Sequence, residues 1–288
     1  MMNIGIIGMG AMGTAIAQQL VKAGHSVCAW SRSEKNAAGV AMVNSPEQAM
    51  KGDMTLTLLS DDSAIKEVII DTGLLYEANP HLIHIVISTI SVEFSYELLI
   101  HHKNANIDWM AAPVLGRPDV AARGELNILT AGSDDVLHRS QAVLEILSKR
   151  IWNMGTSPAA AYAAKIACNM MITMAIEAMA EAVVLTEANG LERERFFDLI
   201  LNTLFGSRSY QVYSRNIINQ VYEPGFKASL GLKDLQLAKQ AASESGADLP
   251  MLQVVHQQMS RAVEAGGSQK DWSIMADYTL RFSVKRRE

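Results

Sequence analysis

Residues 3–24 read NIGIIGMGAMGTAIAQQLVKAG, and this stretch decides the fold. Residues 3–7 form a short apolar run typical of a buried strand. The glycine-rich turn GMGAMG follows it directly, and the apolar spacing from Thr14 to Gly24 predicts a helix that ends at a glycine. A buried strand joined to a helix by a tight turn is the first half of a parallel βαβ unit. The sequence therefore predicts an N-terminal domain built from alternating strands and helices.

The glycines of this turn have the spacing GxGxxG, with Gly8, Gly10 and Gly13 at the defining positions. In that arrangement the first glycine permits a tight turn, the second lets a pyrophosphate approach the backbone, and the third lets helix and strand pack closely. The helix N-terminus then faces the anion with its free N–H groups. The turn therefore predicts dinucleotide binding through the following residues: Gly8, Met9, Gly10, Ala11, Met12 and Gly13.

The end of the second predicted strand, SVCAW at 26–30, indicates which dinucleotide is bound. An acidic residue at this position would hold the ribose of NAD, but the sequence has Ser31, Arg32 and Ser33 there. A guanidinium and two hydroxyls can instead bind a 2′-phosphate. These residues predict that NADP(H) is preferred over NAD(H). The alternative is that Arg32 is a solvated loop residue.

Outward from this unit, apolar strands continue to alternate with helices up to about residue 157, and only helices follow. The predicted strands lie at 3–7, 26–30, 54–60, 82–89, 107–113, 125–132 and 151–154, and residues 114–124 are predicted to form a loop. We expect an α/β fold: an N-terminal Rossmann-type doubly wound parallel sheet in 1–157, then an all-α domain in 158–288. A long interdomain helix at 158–189 is expected to join the two domains.

The long helix has cap signals at both ends, and it contains one lysine, Lys165. Its apolar stretch is long enough to span a membrane, but Lys165, Asn169 and two glutamates interrupt it. A buried helix of a soluble protein is therefore favoured. Lys165 and Asn169 are four residues apart and lie on one helical face. This spacing fits a catalytic pair. It also fits a lysine paired with a carboxylate and an asparagine bonded to backbone.

Composition excludes several classes of function. The chain of 288 residues is 49% hydrophobic, carries a formal charge of −5 and has a pI near 5.8. No basic face suggests nucleic acid or an anionic membrane. Two cysteines, Cys28 and Cys168, are too few for a disulfide framework or zinc site, and the histidines have no metal-like spacing, so no metal is predicted. The N-terminus lacks the cationic region of a signal peptide, and a cytoplasmic protein is expected.

Seven ordered blocks of the sequence resemble the β-hydroxyacid dehydrogenase family, whose relatives include the imine reductases. The blocks are GIIGMGAMGTAIAQQLVKAGHSV (5–27), IVISTIS (85–91), APVLGRPDVAARGEL (112–126), KIACN (165–169), PGF (224–226), LKDLQLA (232–238) and GADLPML (246–252). The resemblance runs through the whole chain. It implies an NADPH-dependent oxidoreductase that reduces a small aldehyde or semialdehyde, or reversibly oxidises a β-hydroxy acid.

The resemblance also implies roles for individual residues. Lys165 matches the catalytic lysine that donates a proton, and Asn169 matches the catalytic asparagine one turn later. Thr89 lies against the nicotinamide in the family. Further expected cofactor contacts are Leu59, Ser60 and Lys233, and expected substrate contacts are Ser88, Phe226 and Asp234. A homodimer, or a dimer of dimers, formed through the helical domain is expected.

One segment departs from the family pattern. The family's substrate loop reads APVSGG, whereas this chain has Leu115, Gly116 and Arg117 after APV. Leu115 cannot donate a hydrogen bond to a substrate carboxylate, while the Arg117 guanidinium could grip one bidentately; an exposed Arg117 is the alternative. Two other functions stay open: an imine or other carbonyl reductase, favoured by this loop and opposed by Lys165, and a non-catalytic NADPH-binding protein.

Overall fold

The computed structural model describes residues 1–33 and 35–282, so the last six residues of the predicted 158–288 domain lie outside the described part. The chain divides into two compact units, Met1–Lys165 and Ile166–Glu288. The division falls inside the long helix.

The first unit contains a six-stranded sheet in the order β3-β2-β1-β4-β5-β6, and every strand pair in it is parallel. Its strands are β1 (Asn3–Ile7), β2 (Ser26–Trp30), β3 (Ala41–Met42), β4 (Met54–Thr57), β5 (Ile83–Val86) and β6 (Asp108–Ala111). The helices between them are α1 (Ala11–Lys22), α2 (Pro46–Ala49), α3 (Asp62–Ile65, extended by a π-helix at Lys66–Ile70) and α4 (Val92–Ala105). The reversal of strand order at β1 and β4 is the doubly wound topology that the sequence predicts.

A second, three-stranded sheet in the order β7-β8-β9 follows the first. It consists of β7 (Val114–Leu115), β8 (Leu126–Thr130) and β9 (Ser148–Asn153), with the helices α5 (Pro118–Ala121) and α6 (Asp134–Leu147) between them. β7 is antiparallel to β8, and β8 is parallel to β9. The prediction of a loop at 114–124 is therefore wrong, because these residues contain β7 and α5. β7 is only two residues long, and its pairing with β8 leaves no periodic signal in the sequence.

Both faces of the six-stranded sheet are covered by apolar layers. Alternate residues such as Ile4, Ile6 and Leu56 pack into one layer beneath α1. Ile7, Val86 and the first turns of the long helix pack into the other. There the Tyr162 hydroxyl donates to the carbonyl oxygen of Val86 at 3.2 Å. Burial of the phenol and the negative charge of Asp62 raise the pKa of Tyr162 well above its usual value.

The second unit contains only helices among its described residues. These are the greater part of α7 (Pro158–Ala188), α8 (Arg193–Leu201), α9 (Arg208–Asn219), α10 (Ala228–Ser245), α11 (Pro250–Ala262, extended by a π-helix at Val263–Gly267) and α12 (Ile274–Phe282). α10 packs on α11, and α11 packs on α12. The helix predicted at 158–189 is thus present and ends one residue earlier, and the described residues that follow it form only helices, as the sequence predicts.

Within the described residues, α7 is the one helix long and apolar enough to cross a membrane. Length and composition are weak indications, since the core helix of a soluble protein has the same properties. Three polar side chains of α7, those of Lys165, Asn169 and Glu177, are buried within the protein. Such side chains would be costly in lipid.

Candidate functional site

The glycine turn follows β1 and leads into α1, as the motif requires. Gly8 has a φ of 107°, and a Cβ atom there would lie 2.4 Å from the carbonyl oxygen of Leu58. At Gly13 a Cβ would lie 2.0 Å from the carbonyl oxygen of Gly8. Both glycines are therefore required by the protein's own packing.

Gly10 differs from its two neighbours in the motif. It caps the N-terminus of α1 with φ −69° and ψ −175°, a conformation open to any residue. Among the described residues, a Cβ there would meet nothing within 4 Å. Neither backbone strain nor packing within the chain explains a glycine at this position. The free space lies at a helix N-terminus, where N–H groups attract a phosphate, so the residues present fit a dinucleotide pyrophosphate.

The residues predicted to select the cofactor lie beside this turn. The Gly8 amide donates to the carbonyl oxygen of Trp30 at 2.9 Å, which fixes the end of β2 next to the turn. Arg32 follows and is exposed; its Nη1 lies 3.3 Å from Oε2 of Glu67 on the π-helix after α3. Because both side chains are more than half exposed, the ion pair is weak. A 2′-phosphate could therefore replace Glu67 at little cost.

The carboxyl ends of β4 and β5 lie at the same sheet edge. The Leu58 amide donates to the Ile7 carbonyl at 2.8 Å, and Leu59 would contact a Cβ placed on Gly8 at 3.4 Å. The adjacent Ser60 is exposed. Leu59 and the glycine turn, predicted separately to bind the cofactor, are thus brought together.

Ser88 and Thr89 follow β5 at the same edge. Ser88 is buried, and its amide and hydroxyl donate to the Thr57 carbonyl at 3.2 and 3.4 Å. Its hydroxyl is thus bonded to the backbone at the end of the neighbouring strand. Thr89 is half-buried. The substrate role of Ser88 and the cofactor role of Thr89 stay predictions.

The altered substrate loop has a defined structure. Leu115 ends β7 and packs partly against the apolar layer of Ile7 and Val86. A Cβ on Gly116 would lie 2.6 Å from Cδ2 of Leu126. Arg117 is half-buried at the N-terminus of α5, and within the described residues its guanidinium has no ion pair. It is therefore not the fully exposed surface arginine of the simpler interpretation.

In the second unit, two residues predicted for different tasks are bonded to each other. The Asn169 amide donates to Oδ2 of Asp234 at 2.6 Å, and both side chains are buried. Lys233 Nζ lies 3.2 Å from Oδ1 of the same carboxylate. The lysine side chain is 24% exposed and that of Asp234 only 3%, so this is not a surface ion pair. Asp234 therefore connects a cation on α10 with an amide on α7.

Lys165 lies one helical turn before Asn169 on α7. It is 8% exposed, and the turn around it contains the fully buried Ala161 and Tyr162. A lysine this deeply buried is uncommon in proteins unless it has a defined role or partner.

Phe226 is held by residues that sequence reasoning missed. Its ring packs edge-on against Trp272 with centroids 4.7 Å apart. The fully buried Asp271 accepts hydrogen bonds from the amides of Gly225 and Phe226 at 3.1 and 3.2 Å. Its other oxygen accepts from the Ser273 hydroxyl at 2.6 Å. A buried carboxylate thus fixes the loop of Phe226; no local sequence signal distinguishes Asp271 from a surface aspartate.

Glu177 is a second buried carboxylate that the sequence did not single out. Its Oε1 accepts from Thr279 Oγ1 at 2.6 Å and from Gln258 Nε2 at 3.1 Å, while the buried Oε2 has no hydrogen-bond partner among the residues that the structure describes. Burial raises the pKa of the Glu177 carboxyl, and the two hydrogen bonds only partly oppose this. The group joins α7 to α11 and α12 and lies two helical turns after Asn169 on α7.

Among the described residues, no group of three or more His, Cys, Asp and Glu side chains could hold a metal ion. The site residues thus consist of a glycine turn, serine and threonine at strand ends, and lysine, asparagine and aspartate on helices. Such groups can bind an organic cofactor and transfer a proton.

Comparison with known proteins identifies the family of this dinucleotide-binding fold. Residues 3–155 match the family model described as the NAD binding domain of 6-phosphogluconate dehydrogenase. Residues 159–279 match the model described as NAD-binding of NADP-dependent 3-hydroxyisobutyrate dehydrogenase. Together the two models cover both units.

Individual relatives agree with these models. An uncharacterized oxidoreductase of Bacillus subtilis, YfjR, is 37% identical over 282 residues, covering 95% of this chain and 98% of that protein. The 2-hydroxy-3-oxopropionate reductase of Escherichia coli is 28% identical over 280 residues, covering 95% and 96%. The solved structure of Mycobacterium tuberculosis 3-hydroxyisobutyrate dehydrogenase with L-serine superposes with a TM-score of 0.88 at 29% identity, covering 98% and 99%.

The fold and the glycine turn define an NAD(P)-binding oxidoreductase. The chain belongs to the β-hydroxyacid dehydrogenase family, whose members act on CH–OH groups. The family resemblance of the sequence is thereby confirmed.

The different surroundings of Gly10 and Gly13 predict different effects of the same substitution. Gly10→Ala places a methyl group in free space, so we expect the free energy of unfolding to change by less than about 0.5 kcal/mol. NADPH affinity should fall by about tenfold or more, because the methyl group lies where the pyrophosphate approaches. Gly13→Ala should instead destabilise the fold by about 2 kcal/mol or more.

Urea unfolding and fluorescence titration with NADPH measure the two effects. If Gly10→Ala keeps wild-type affinity for both NADPH and NADH, the pyrophosphate does not bind beside Gly10.

Proposed function

We propose that this enzyme reduces a small aldehyde or semialdehyde with NADPH, or reversibly oxidises the corresponding β-hydroxy acid, with Lys165 as the proton donor. The observation that carries the proposal is the buried Lys165 one turn before Asn169, whose amide is fixed on Asp234 at 2.6 Å. The family resemblance implies the same two residues. The name of the Escherichia coli relative describes a reductase of a small oxo acid.

A nicotinamide cofactor held by the glycine turn would supply or accept the hydride. As a carbonyl oxygen becomes an alkoxide, the Lys165 ammonium stabilises the charge and donates a proton from Nζ. Because Asn169 donates to Asp234 through its nitrogen, its amide oxygen is oriented as an acceptor for the ammonium or a substrate hydroxyl. Arg117, half-buried and without an ion pair among the described residues, is proposed to hold the substrate carboxylate that Leu115 cannot bind.

A substrate panel tests the proposal. Small semialdehydes, keto acids and cyclic imines are offered to the enzyme while NADPH absorbance is followed, and β-hydroxy acids including L-serine are offered with NADP⁺. Turnover of a semialdehyde or β-hydroxy acid supports the proposal. Leu115 favours a second candidate, an imine or other carbonyl reductase, and turnover of cyclic imines alone would favour it. Cofactor binding without any turnover would leave a non-catalytic NADPH-binding protein.

We infer a preference for NADP(H) from Arg32 and its neighbouring serines. Arg32→Ala should weaken NADPH binding by about tenfold, the loss expected for one charge-assisted contact. NADH binding should change less than about twofold, because NADH has no 2′-phosphate for the guanidinium to bind. Dissociation constants for both cofactors, measured by fluorescence titration, check this prediction.

Arg195→Ala is the matched control, since Arg195 is also an exposed arginine in an exposed ion pair, here with Glu192. It should leave both affinities unchanged. Equal losses for NADPH and NADH in Arg32→Ala would refute the assigned preference.

We further propose a cytoplasmic homodimer, or a dimer of dimers, that forms through the helical unit. Several large apolar side chains of that unit are exposed, among them Leu185 (66%), Leu199 (58%) and Leu204 (85%). Covering exposed apolar side chains is a common reason for association. Light scattering on the purified chain tests this directly: a monomer at micromolar concentration contradicts it, and Leu204→Lys should weaken the dimer.

A further inference from the structure

Two histidines form a buried pair inside the apolar layer of the first unit. His84 lies on β5 and His102 on α4, and both are fully buried. His84 Nδ1 and His102 Nε2 are 2.7 Å apart. The His102 ring stacks on Trp109 with centroids 5.0 Å apart. No residue of the proposed reaction is in this pair.

The two histidines belong to a chain of three hydrogen bonds. The bonds at its two ends decide which atom donates and which accepts at every link. His102 Nδ1 is 2.7 Å from the Leu98 carbonyl oxygen, which can only accept, so His102 carries its proton on Nδ1. His102 Nε2 then accepts from His84 Nδ1. His84 Nε2 is left as an acceptor, and it receives the Thr57 hydroxyl at 2.7 Å. Both rings are neutral, with their protons on Nδ1, since burial lowers the pKa of each.

The chain of hydrogen bonds ends at the sheet edge where the predicted cofactor site lies. Thr57 is the last residue of β4. Its carbonyl oxygen accepts from the Ile87 amide at 2.9 Å and from the Ser88 amide at 3.2 Å. The next residue, Leu58, contributes the carbonyl oxygen against which Gly8 packs. The orientation of Thr57 therefore affects both strand ends and the floor of the glycine turn.

We propose that His84 and His102 are positioning residues for cofactor binding, acting through the Thr57 hydroxyl to hold the ends of β4 and β5 in place. This inference rests on the proposed function, because the cofactor contacts at Leu59, Ser60 and Thr89 belong to it. A purely apolar pair would fill the same space without burying polar groups. The hydrogen-bonded chain also fixes the orientation of each side chain, because every hydrogen bond has one donor and one acceptor.

Two threonines of β4 provide a matched test. Thr57→Val removes the hydroxyl that bonds His84 and keeps the shape of the side chain. Thr55→Val is the control: Thr55 is also fully buried and lies opposite His84 in the pairing of β4 with β5, but its hydroxyl donates to the Ala49 carbonyl at 2.7 Å instead of to a histidine. Thr57→Ser keeps the hydroxyl and should restore wild-type behaviour. The full-length enzyme is used throughout.

We expect Thr57→Val to weaken NADPH affinity and raise the KM for NADPH by about fivefold, with kcat at saturating NADPH changed less than about twofold. Thr57→Ser and Thr55→Val should both stay within about twofold of wild type. Equal affinities of Thr57→Val and Thr55→Val, while wild type binds NADPH, would overturn this inference alone. Failure of the wild type to bind NADPH or NADH would overturn the proposed function as well.

Two further measurements keep the inference testable if Thr57→Val folds poorly. His84→Leu breaks the same chain from the other side, because leucine can neither donate nor accept a hydrogen bond, and it should raise the KM for NADPH in the same way. Nitrogen-15 spectra of histidine-labelled enzyme at pH 7.5 should show both buried rings with the proton on Nδ1. Either ring protonated on Nε2 would overturn the hydrogen-bond chain, as would an unchanged KM in a folded His84→Leu.

Discussion

Lys165→Ala is expected to lower kcat by about 10²- to 10⁴-fold, the usual contribution of a positioned general acid. The substitution removes the proton source while the glycine turn is left intact. Affinity for NADPH should therefore stay within about twofold of wild type. Absorbance of NADPH with the best substrate of the panel measures turnover, and fluorescence titration measures cofactor affinity.

Two controls separate proton donation from loss of a buried charge. Lys165→Arg keeps the positive charge, but a guanidinium is too weak an acid to donate its proton, so kcat should remain low. Small primary ammonium ions added to Lys165→Ala should restore part of the activity, with a rate that depends on amine concentration. If Lys165→Ala retains both turnover and NADPH affinity, Lys165 is not the proton donor.

The parts of the fold predictable from sequence are those with a local, periodic signal. The six-residue turn GMGAMG after an apolar run gives β1 and α1, and the long capped helix gives α7. β7 could not be predicted in the same way, because two residues cannot show a period. Its partner β8 reads as an ordinary strand, and nothing local indicates that it joins a second sheet instead of the first.

The candidate site was predictable as a set of residues but not as a set of contacts. Asn169 and Asp234 are 65 residues apart, and the resemblance implies one as catalytic and the other as substrate-binding. Their hydrogen bond depends on how α7 and α10 pack, which no motif encodes. Asp271 was missed for a related reason: its importance comes from complete burial beneath the Phe226 loop, and burial of a single aspartate leaves no pattern in the sequence.

The histidine pair shows a different limit. The sequence excludes a metal role for His84 and His102, because no ligand spacing accompanies them. It does not indicate that a strand residue and a helix residue 18 positions apart meet in the core at 2.7 Å. A histidine in the middle of the apolar strand IHIV was the available signal, since a fully buried polar side chain requires a partner.

The buried histidines should make the protein unstable in acid. Burial lowers the pKa of His102 from 6.5 to about 4, despite its hydrogen bond to the Leu98 carbonyl, and it also lowers the pKa of His84 well below its usual value. A group with a depressed pKa in the folded state stabilises the fold above its unfolded pKa, and that contribution is lost as pH falls below 6.5 towards 4. His102 alone should lower the free energy of unfolding by about 2 kcal/mol between pH 7.5 and pH 5.

Glu177 has the opposite effect on the pH dependence of the free energy of unfolding. Measuring the wild type alone therefore cannot separate the two contributions. Its pKa is raised by burial; the fold therefore favours its neutral form, and lower pH relieves that penalty. The two contributions are separated by comparing variants. His102→Gln should be less stable than wild type at pH 7.5, yet should lose less stability on going to pH 5. Glu177→Gln should instead show a steeper loss than wild type.

Urea unfolding followed by tryptophan fluorescence at pH 7.5, 6.5, 5.5 and 5 measures these slopes, because Trp109 stacks on His102 and reports its surroundings. His138→Gln is the matched control: His138 is exposed on α6, so its removal should leave the wild-type slope unchanged. An equal loss of stability in wild type and His102→Gln would mean that the buried pair does not govern the acid response. If, among these variants, only His102→Gln loses less stability than wild type as the pH falls, the acid response is due to the protonation of His102. Only that variant removes the buried His102 imidazole.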